Sequence, residues 1–384
     1  MDSTGNEETA RPGELMALDD GALEEQEPND DFAAGMAVTA SRSVRIEGRV
    51  DSPDDYDVFT LGPLGDNNYL QAAIETPVEG ETCLCVFDPY QRLLARTCAK
   101  NSHQPRALTL FVPEPVEHLF LVASIPQAGV PNAYAATVDL TRNNHGRTRR
   151  PQLVLLSFDG AESVTVAGRH FSVIPPFDAA SIDSRYAGRT NVIVRSVLEK
   201  VRADYEGIDV QIYLASDPAV PPGPHSIVYF GTANPDLLGV ADGVDPFNDN
   251  VSEAAIVYTE TFHLFSAFEP DDQEIAQALA NVTTHEIGHL LGLRHTHDPD
   301  DIMDVTATAR RLMSDQWFKH ARLHASVCPM GYQDSPAMLS WTVGGTLAAP
   351  PSKESSTHRH LGVDGPDDFD IPRAWLGSHC SLEP

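Results

Sequence analysis

The sequence of 384 residues predicts two folded units in series, an N-terminal all-β sandwich and a C-terminal α/β unit centred on one histidine-bearing helix. Three features predict it. Short apolar runs broken by turn residues recur at close spacing from Ser43 to Leu140. Beyond residue 151, strand-like runs alternate with stretches of helical period. Finally, residues 285–295 read His-Glu-Ile-Gly-His-Leu-Leu-Gly-Leu-Arg-His.

Taken in order, residues 1–31 hold eleven carboxylates and a single Arg with few large apolar groups, the composition of an acidic, disordered leader. A sandwich domain is expected over 32–140, with strands at 43–50, 56–61, 69–75, 82–87, 108–112, 119–123 and 133–140. Residues 141–151 have linker composition, and Arg147, Arg149 and Arg150 make them an easy target for trypsin-like cleavage. The second unit is expected over 152–325. It opens on a buried strand at 152–158 and continues with a helix over 189–205, where Val192, Val194, Val197, Leu198 and Val201 supply the apolar face and Gly207 the stop. Strands at 209–214 and 226–230 follow. The motif helix starts at Asp271, which with Glu274 has the spacing of a capping box. Ile275, Ala278, Leu279, Val282 and Leu290 share the half of this helix that presents His285 and His289, so the imidazoles should face inward. A further helix at 306–323 and a C-terminal tail over 326–384, extended at 350–360, complete the expectation.

On a helix, His285 and His289 lie one turn apart on the same face, where both rings can reach one Zn²⁺ while Glu286 points toward a water. Gly292 allows the backbone to leave the helix with positive φ, so that His295 can return as a third ligand. Three protein ligands leave one position open, the mark of a catalytic zinc. Eight residues on, Met303 stands in a tight acidic turn, Ile302-Met303-Asp304. From His285 to Met303 the chain resembles a metzincin metallopeptidase of the matrixin branch, in which the residue after the third His is Ser or Thr, here Thr296. The resemblance implies a mixed five-stranded sheet with an active-site helix, one catalytic Zn²⁺, Met303 as a Met-turn and Glu286 as general base. It further implies peptide or protein substrates, which an antiparallel edge strand would hold; by order that strand contains Leu238, Gly239, Val240 and Ala241. Val305 stands where some metzincins carry a tyrosine near the metal, so no tyrosine ligand is expected. No cysteine-switch segment is present, and His297 reads as a surface residue.

Glu27-Pro28-Asn29-Asp30-Asp31, followed by Asp54-Asp55-Tyr56-Asp57-Val58-Phe59, resembles the prepeptidase C-terminal family of small β domains on secreted bacterial peptidases. From this likeness the β domain is expected to be an accessory module; a propeptide covering the cleft is the other possibility. It also implies a secreted or extracellular protein, although Met1, Asp2 and the acidic residues after them do not form a signal peptide.

A net charge of −30 argues against nucleic acid or anionic membranes as partners. No apolar run is long enough for a membrane span. Five cysteines cannot all pair within one molecule. Cys83 with Cys98 and Cys328 with Cys380, leaving Cys85, is one arrangement, and buried free thiols are another. Residues 242–250 cluster oxygen donors that could hold Ca²⁺, but without a complete ligand spacing they read more readily as a solvated acidic turn. Two other functions remain open: a glycan- or surface-binding protein with an inactive zinc domain, and a zinc hydrolase of non-peptide amides or esters.

Overall fold

The structure is a computed structural model that describes residues 22–348 except 39–42, 66–67, 77–79, 101–104, 113–114, 126–128, 130, 143–148 and 306–307. Its N-terminal unit contains ten strands: β1 (Leu23–Glu24), β2 (Met36–Val38), β3 (Ser43–Val50), β4 (Asp57–Leu61), β5 (Asn68–Glu75), β6 (Glu81–Phe87), β7 (Leu93–Lys100), β8 (Arg106–Phe111), β9 (Leu119–Ser124) and β10 (Asn132–Arg142). They form two five-stranded sheets, β1-β3-β10-β5-β8 and β2-β4-β9-β6-β7. Ile46, Leu70, Ile74, Ala136 and Val138 from one sheet meet Phe59, Leu61, Leu84, Val86 and Leu121 from the other, every second residue of each strand, as a sandwich requires.

The disordered leader expected over 1–31 does not hold for its last ten residues. β1 pairs in parallel with β3, and the Glu25 carboxylate accepts from Arg49 N at 2.7 Å. Net charge overstated the disorder because these carboxylates have backbone partners; residues 1–21 lie outside the described residues. Strand β7 also departs from expectation. Its Leu93-Leu94-Ala95-Arg96-Thr97-Cys98 does not alternate because the sheet holding it is buried on both faces.

The cover on that outer face comes from the second unit. Val58, Cys85, Phe87, Leu93, Phe120 and Val122 pack against Leu323, Val327 and Cys328. Gly331, at φ +80°, permits the contact, since a Cβ there would lie 2.9 Å from Phe87 Cδ1. Arg92 joins the units electrostatically, pairing with Asp88 at 2.6 Å and Asp334 at 3.2 Å, with its guanidinium 5.4 Å from the Trp341 ring centre.

The second unit is built on β11 (Gln152–Ser157), the hairpin β12 (Ala161–Val166) and β13 (Arg169–Ile174), helix α1 (Thr190–Asp204), and β14 (Val210–Leu214), β15 (Ser226–Phe230), β16 (Gly239–Ala241) and β17 (Ala254–Val257). Its main sheet has the order β14-β11-β15-β17-β16, parallel except for β16, the antiparallel edge. This is the mixed five-stranded sheet that was expected. Helices α1 and α2 (Asp272–Leu290) bury one face through Ile193, Val197, Val201, Ile275, Leu279 and Val282, while the β12–β13 hairpin covers part of the other.

Two expectations for the remainder are corrected. Among the described residues of 306–323 there is a one-turn helix α3 (Ala309–Leu312) and then β18 (His320–Arg322). Residues 326–348 are folded: β19 (Tyr332–Asp334) pairs with β18, and α4 (Ser335–Thr342) inserts Leu339 and Val343 into the α/β core. Residues 349–384 lie outside the described residues. Cys328 is a buried thiol that packs with Cys85 in an apolar cluster; its expected partner Cys380 lies outside the described residues. Cys83 and Cys98, opposite each other in the β6–β7 ladder, form a disulfide.

Asp57 is fully buried beside Tyr134 and Glu25. Burial, reinforced by Glu25 and Asp55, pushes its pKa up to about 9. In the unfolded chain it ionises near ~3.9, so between there and about 9 the native state binds the extra proton and stability falls as pH rises. With chelator present, Asp57→Asn should therefore gain stability relative to the parent between pH 5 and pH 8, by an amount on the order of a few kcal/mol. Urea unfolding at the two pH values checks this; an unchanged difference refutes it.

Candidate metal centre

The motif helix begins as its sequence requires. The Asp271 carboxylate accepts from Gln273 N and Glu274 N, and the Glu274 carboxylate accepts from Asp271 N at 2.8 Å, closing the capping box. From Ile275 to Leu290 every residue of α2 is buried, so the apolar stripe read from the sequence understates a helix enclosed on all sides. It ends in a Schellman motif. Gly292 N donates to His289 O and Leu293 N to Gly288 O, both at 2.9 Å, with Gly292 at φ +90°. A side chain at residue 292 would also collide with Pro246, whose Cα lies 2.8 Å from the Cβ position.

This cap turns the chain so that His295 comes back beside the helix. His289 Nε2 lies 3.1 Å from His285 Nε2 and 3.1 Å from His295 Nε2. Nδ1 of His285 donates to Ile302 O at 2.7 Å, and Nδ1 of His289 donates to Leu293 O at 2.8 Å. A carbonyl only accepts, so in both rings the proton sits on Nδ1 and Nε2 presents a bare lone pair. Lone pairs gathered this closely repel unless a cation lies among them, and 3.1 Å is near the spacing that bonds of about 2.0–2.1 Å to one tetrahedral ion produce. The donor set therefore fits Zn²⁺. Burial pushes the His285 pKa down to about 4 and that of His289 to about 3, keeping the rings neutral as ligands must be.

The acidic turn supports the same centre from below. Ile302 O orients His285, Thr296 N donates to Met303 O at 2.9 Å, and Thr296 Oγ1 donates to Asp301 Oδ2 at 2.8 Å. Met303 is fully buried, and a Cβ on Gly288 would lie 2.6 Å from its sulfur, so that glycine lets the turn approach the helix. Val305 is buried and provides no donor. His297 is exposed and outside the His cluster.

Residues 229–316, which span the edge strand, the motif helix and this turn, match the family model of the matrixin peptidases. Over these residues the chain is similar to the matrixins. No curated protein matches its sequence. Among solved structures it is similar to archaemetzincin from Methanopyrus kandleri, at 16% identity over 45% of this chain and 91% of that one, with a TM-score of 0.26. A zinc-dependent peptidase from Methanocorpusculum labreanum gives 16% identity, 43% and 95% coverage and a TM-score of 0.26. The pre-peptidase C-terminal domain of a Bacillus anthracis collagenase gives 14% identity, 27% and 96% coverage and a TM-score of 0.21.

Beside the three histidines Glu286 is buried with no ion-pair partner among the described residues, and burial pushes its pKa up to about 8. A divalent cation alongside would favour its ionised form. Its carboxylate lies against β16: a Cβ on Gly239 would come within 2.9 Å of Glu286 Cγ and 3.0 Å of Cδ. Gly239→Ala should therefore displace Glu286 while the three histidines keep their metal, lowering kcat by about 10- to 100-fold. Equal metal content with unchanged kcat would refute that.

Leu238, Gly239, Val240 and Ala241 lie at the sheet edge as expected. Tyr258 N donates to Leu238 O and Asp242 N to Ala254 O, so the alternation of an antiparallel pair turns the backbone groups of Gly239 and Ala241 away from β17. Among the described residues no strand pairs with that outer side.

The proposed calcium loop does not gather its oxygens. Asp242 accepts from Ala167 N and Ala254 N, Asp245 accepts from Asn250 N, and no group of potential ligands among the described residues includes the loop. Carboxylates that do converge were missed. They are Glu25, Glu27 and Asp57, and Glu27, Asp30 and Asp55, each set within 4.8 Å and able to hold a metal ion. The buried, unpaired Asn29 side chain adjoins them in sequence. The acidic Glu25–Asp31 and Asp54–Asp57 stretches signalled them, but only the β1–β3 and β2–β4 pairings bring the two together.

Proposed function

We propose that this protein is a zinc-dependent endopeptidase that takes extended peptides along β16. The observation carrying this reading is the convergence of the Nε2 atoms of His285, His289 and His295 beside Glu286, with the edge strand packed against that carboxylate. Held by His285, His289 and His295, Zn²⁺ would supply Lewis acidity, polarising a carbonyl and lowering the pKa of water toward ~7. Glu286 takes the proton from the attacking water and returns it to the leaving amine. Outward backbone groups of Gly239 and Ala241 hold the substrate chain and align its scissile carbonyl. An oxidising, extracytoplasmic location accords with the Cys83–Cys98 disulfide. The β sandwich supplies no hydrogen-bond partner to the three histidines or Glu286 among the described residues, which favours an accessory module over a zinc-blocking propeptide.

Cleavage-site mapping on a peptide library, with and without chelator, tests the activity. Chelator-sensitive hydrolysis is expected. Peptides N-methylated at alternate positions then test the rail, since each lost backbone bond should lower kcat/KM by about 3- to 12-fold. Ester hydrolysis with no peptide cleavage would replace the reading with a non-peptide hydrolase.

A further inference from the structure

Cys85 and Cys328 come from different units, are separated widely in sequence, and meet where the sandwich docks on the zinc unit. Cys85 lies on the outward face of β6, and Cys328 lies in the segment that covers this face. Both are fully buried among Phe87, Leu93, Val122, Leu323 and Val327. Burial first, and then the nearby Cys85 thiol, push the Cys328 thiol's pKa up. Arg96 stands alongside, donating to Cys83 Sγ at 3.2 Å and Ser326 O at 3.4 Å, and the Cys83–Cys98 disulfide belongs to the same β6–β7 ladder. A chain that forms the latter bond is exposed to an oxidant before its units dock.

We propose that Cys85 and Cys328 are the partners of an interdomain disulfide that covalently ties the β sandwich to the zinc unit. The oxidant is a small-molecule disulfide such as oxidised glutathione. One cysteine thiolate attacks it, forming a mixed disulfide and expelling one glutathione thiolate; the second cysteine thiolate then displaces the other glutathione. Two thiols and one oxidised glutathione thus yield one protein disulfide and two reduced glutathione molecules. The two electrons pass to the glutathione sulfurs.

Such a bond would act on the metal centre because of what neighbours Cys328. His324 N donates to His295 O at 3.1 Å, and Gln333 clamps Arg294, accepting from its N–H and donating to its carbonyl, each at 2.7 Å. The 324–333 segment thereby holds the backbone of the third histidine, and the cross-link would hold the segment. This consequence rests on the zinc reading; the bond itself does not.

The full chain, refolded in a glutathione redox buffer, is nicked by trypsin at the Arg149–Arg150 linker and run on a denaturing gel without reductant. The two pieces should stay joined and separate only when reduced, whereas Cys85→Ser and Cys328→Ser should each separate without reductant. Separation of the parent pieces, or a persistent link in either variant, overturns the proposal; in Cys328→Ser the latter would identify Cys380 as the partner. If the variants fail to fold, complete tryptic mapping of the parent decides. Peptide 323–353 should appear linked to peptide 50–92, and a fully alkylatable Cys328 would reject the bond. Zinc loss to a chelator, slower in the oxidised than in the reduced full chain, reads the consequence separately.

Discussion

Glu286→Ala is expected to keep its metal and to lose peptide hydrolysis by at least about 10²- to 10⁴-fold, the usual contribution of a positioned general base. Glu286 is not one of the three converging ligands, and alanine suits a helix interior, so neither the cluster nor α2 should suffer. The residue is also buried with no ion-pair partner among the described residues, which makes its removal tolerable and its presence costly unless it has work to do there. Metal content by elemental analysis and kcat on a mapped peptide measure the two halves together. Undiminished turnover with full metal would move the base elsewhere.

Removing zinc should produce the second large effect. Three neutral imidazoles meet with Nε2 of His289 3.1 Å from Nε2 of both His285 and His295, and backbone carbonyls fix the rings of His285 and His289, so an ion among them relieves the repulsion of their lone pairs. Zinc at about 1,000 times its Kd would stabilise the native state by ~4.1 kcal/mol. For a unit of this size, that amounts to roughly 8–16 °C in Tm. Scanning the protein with and without chelator measures the shift, and His289→Ala should show almost none. A chelator-insensitive parent would mean that the cluster binds no metal under those conditions.

Local signals explain what was legible beforehand. The 285–295 spacing, the Asp271–Glu274 capping box and the Gly292 exit each depend on residues within a few positions of one another, and each appears in the structure. Helix α1 and the alternation along β5 were readable for the same reason, but the face assigned to α1 was misplaced at one position: Val192 is exposed, and Ile193 beside it fills the core with Val197 and Val201. Strand β7 and the β12–β13 hairpin were not, because burial of both sheet faces removes alternation and Gly168 with Ala167 closes a turn at positive φ without a strong apolar run beside it. The helix expected over 306–323 failed where apolar residues had helical density but paired instead with distant partners, as Phe318 does with Tyr205 at 5.3 Å.

By itself the sequence determined the two-unit order, the motif helix and its cap, and the identity of the candidate ligands and base, whereas the antiparallel edge beside them was implied only by the resemblance to matrixins. These depend on side-chain chemistry and short-range periodicity. Only tertiary structure decided that residues 22–31 and 326–348 are folded, that the second face of the sandwich is covered by the 323–331 segment, and that Cys328 meets Cys85. Their physical cause is long-range packing: a strand face, a thiol or an acidic segment has the same local pattern whether solvent or another part of the chain covers it, and burial alone distinguishes the two.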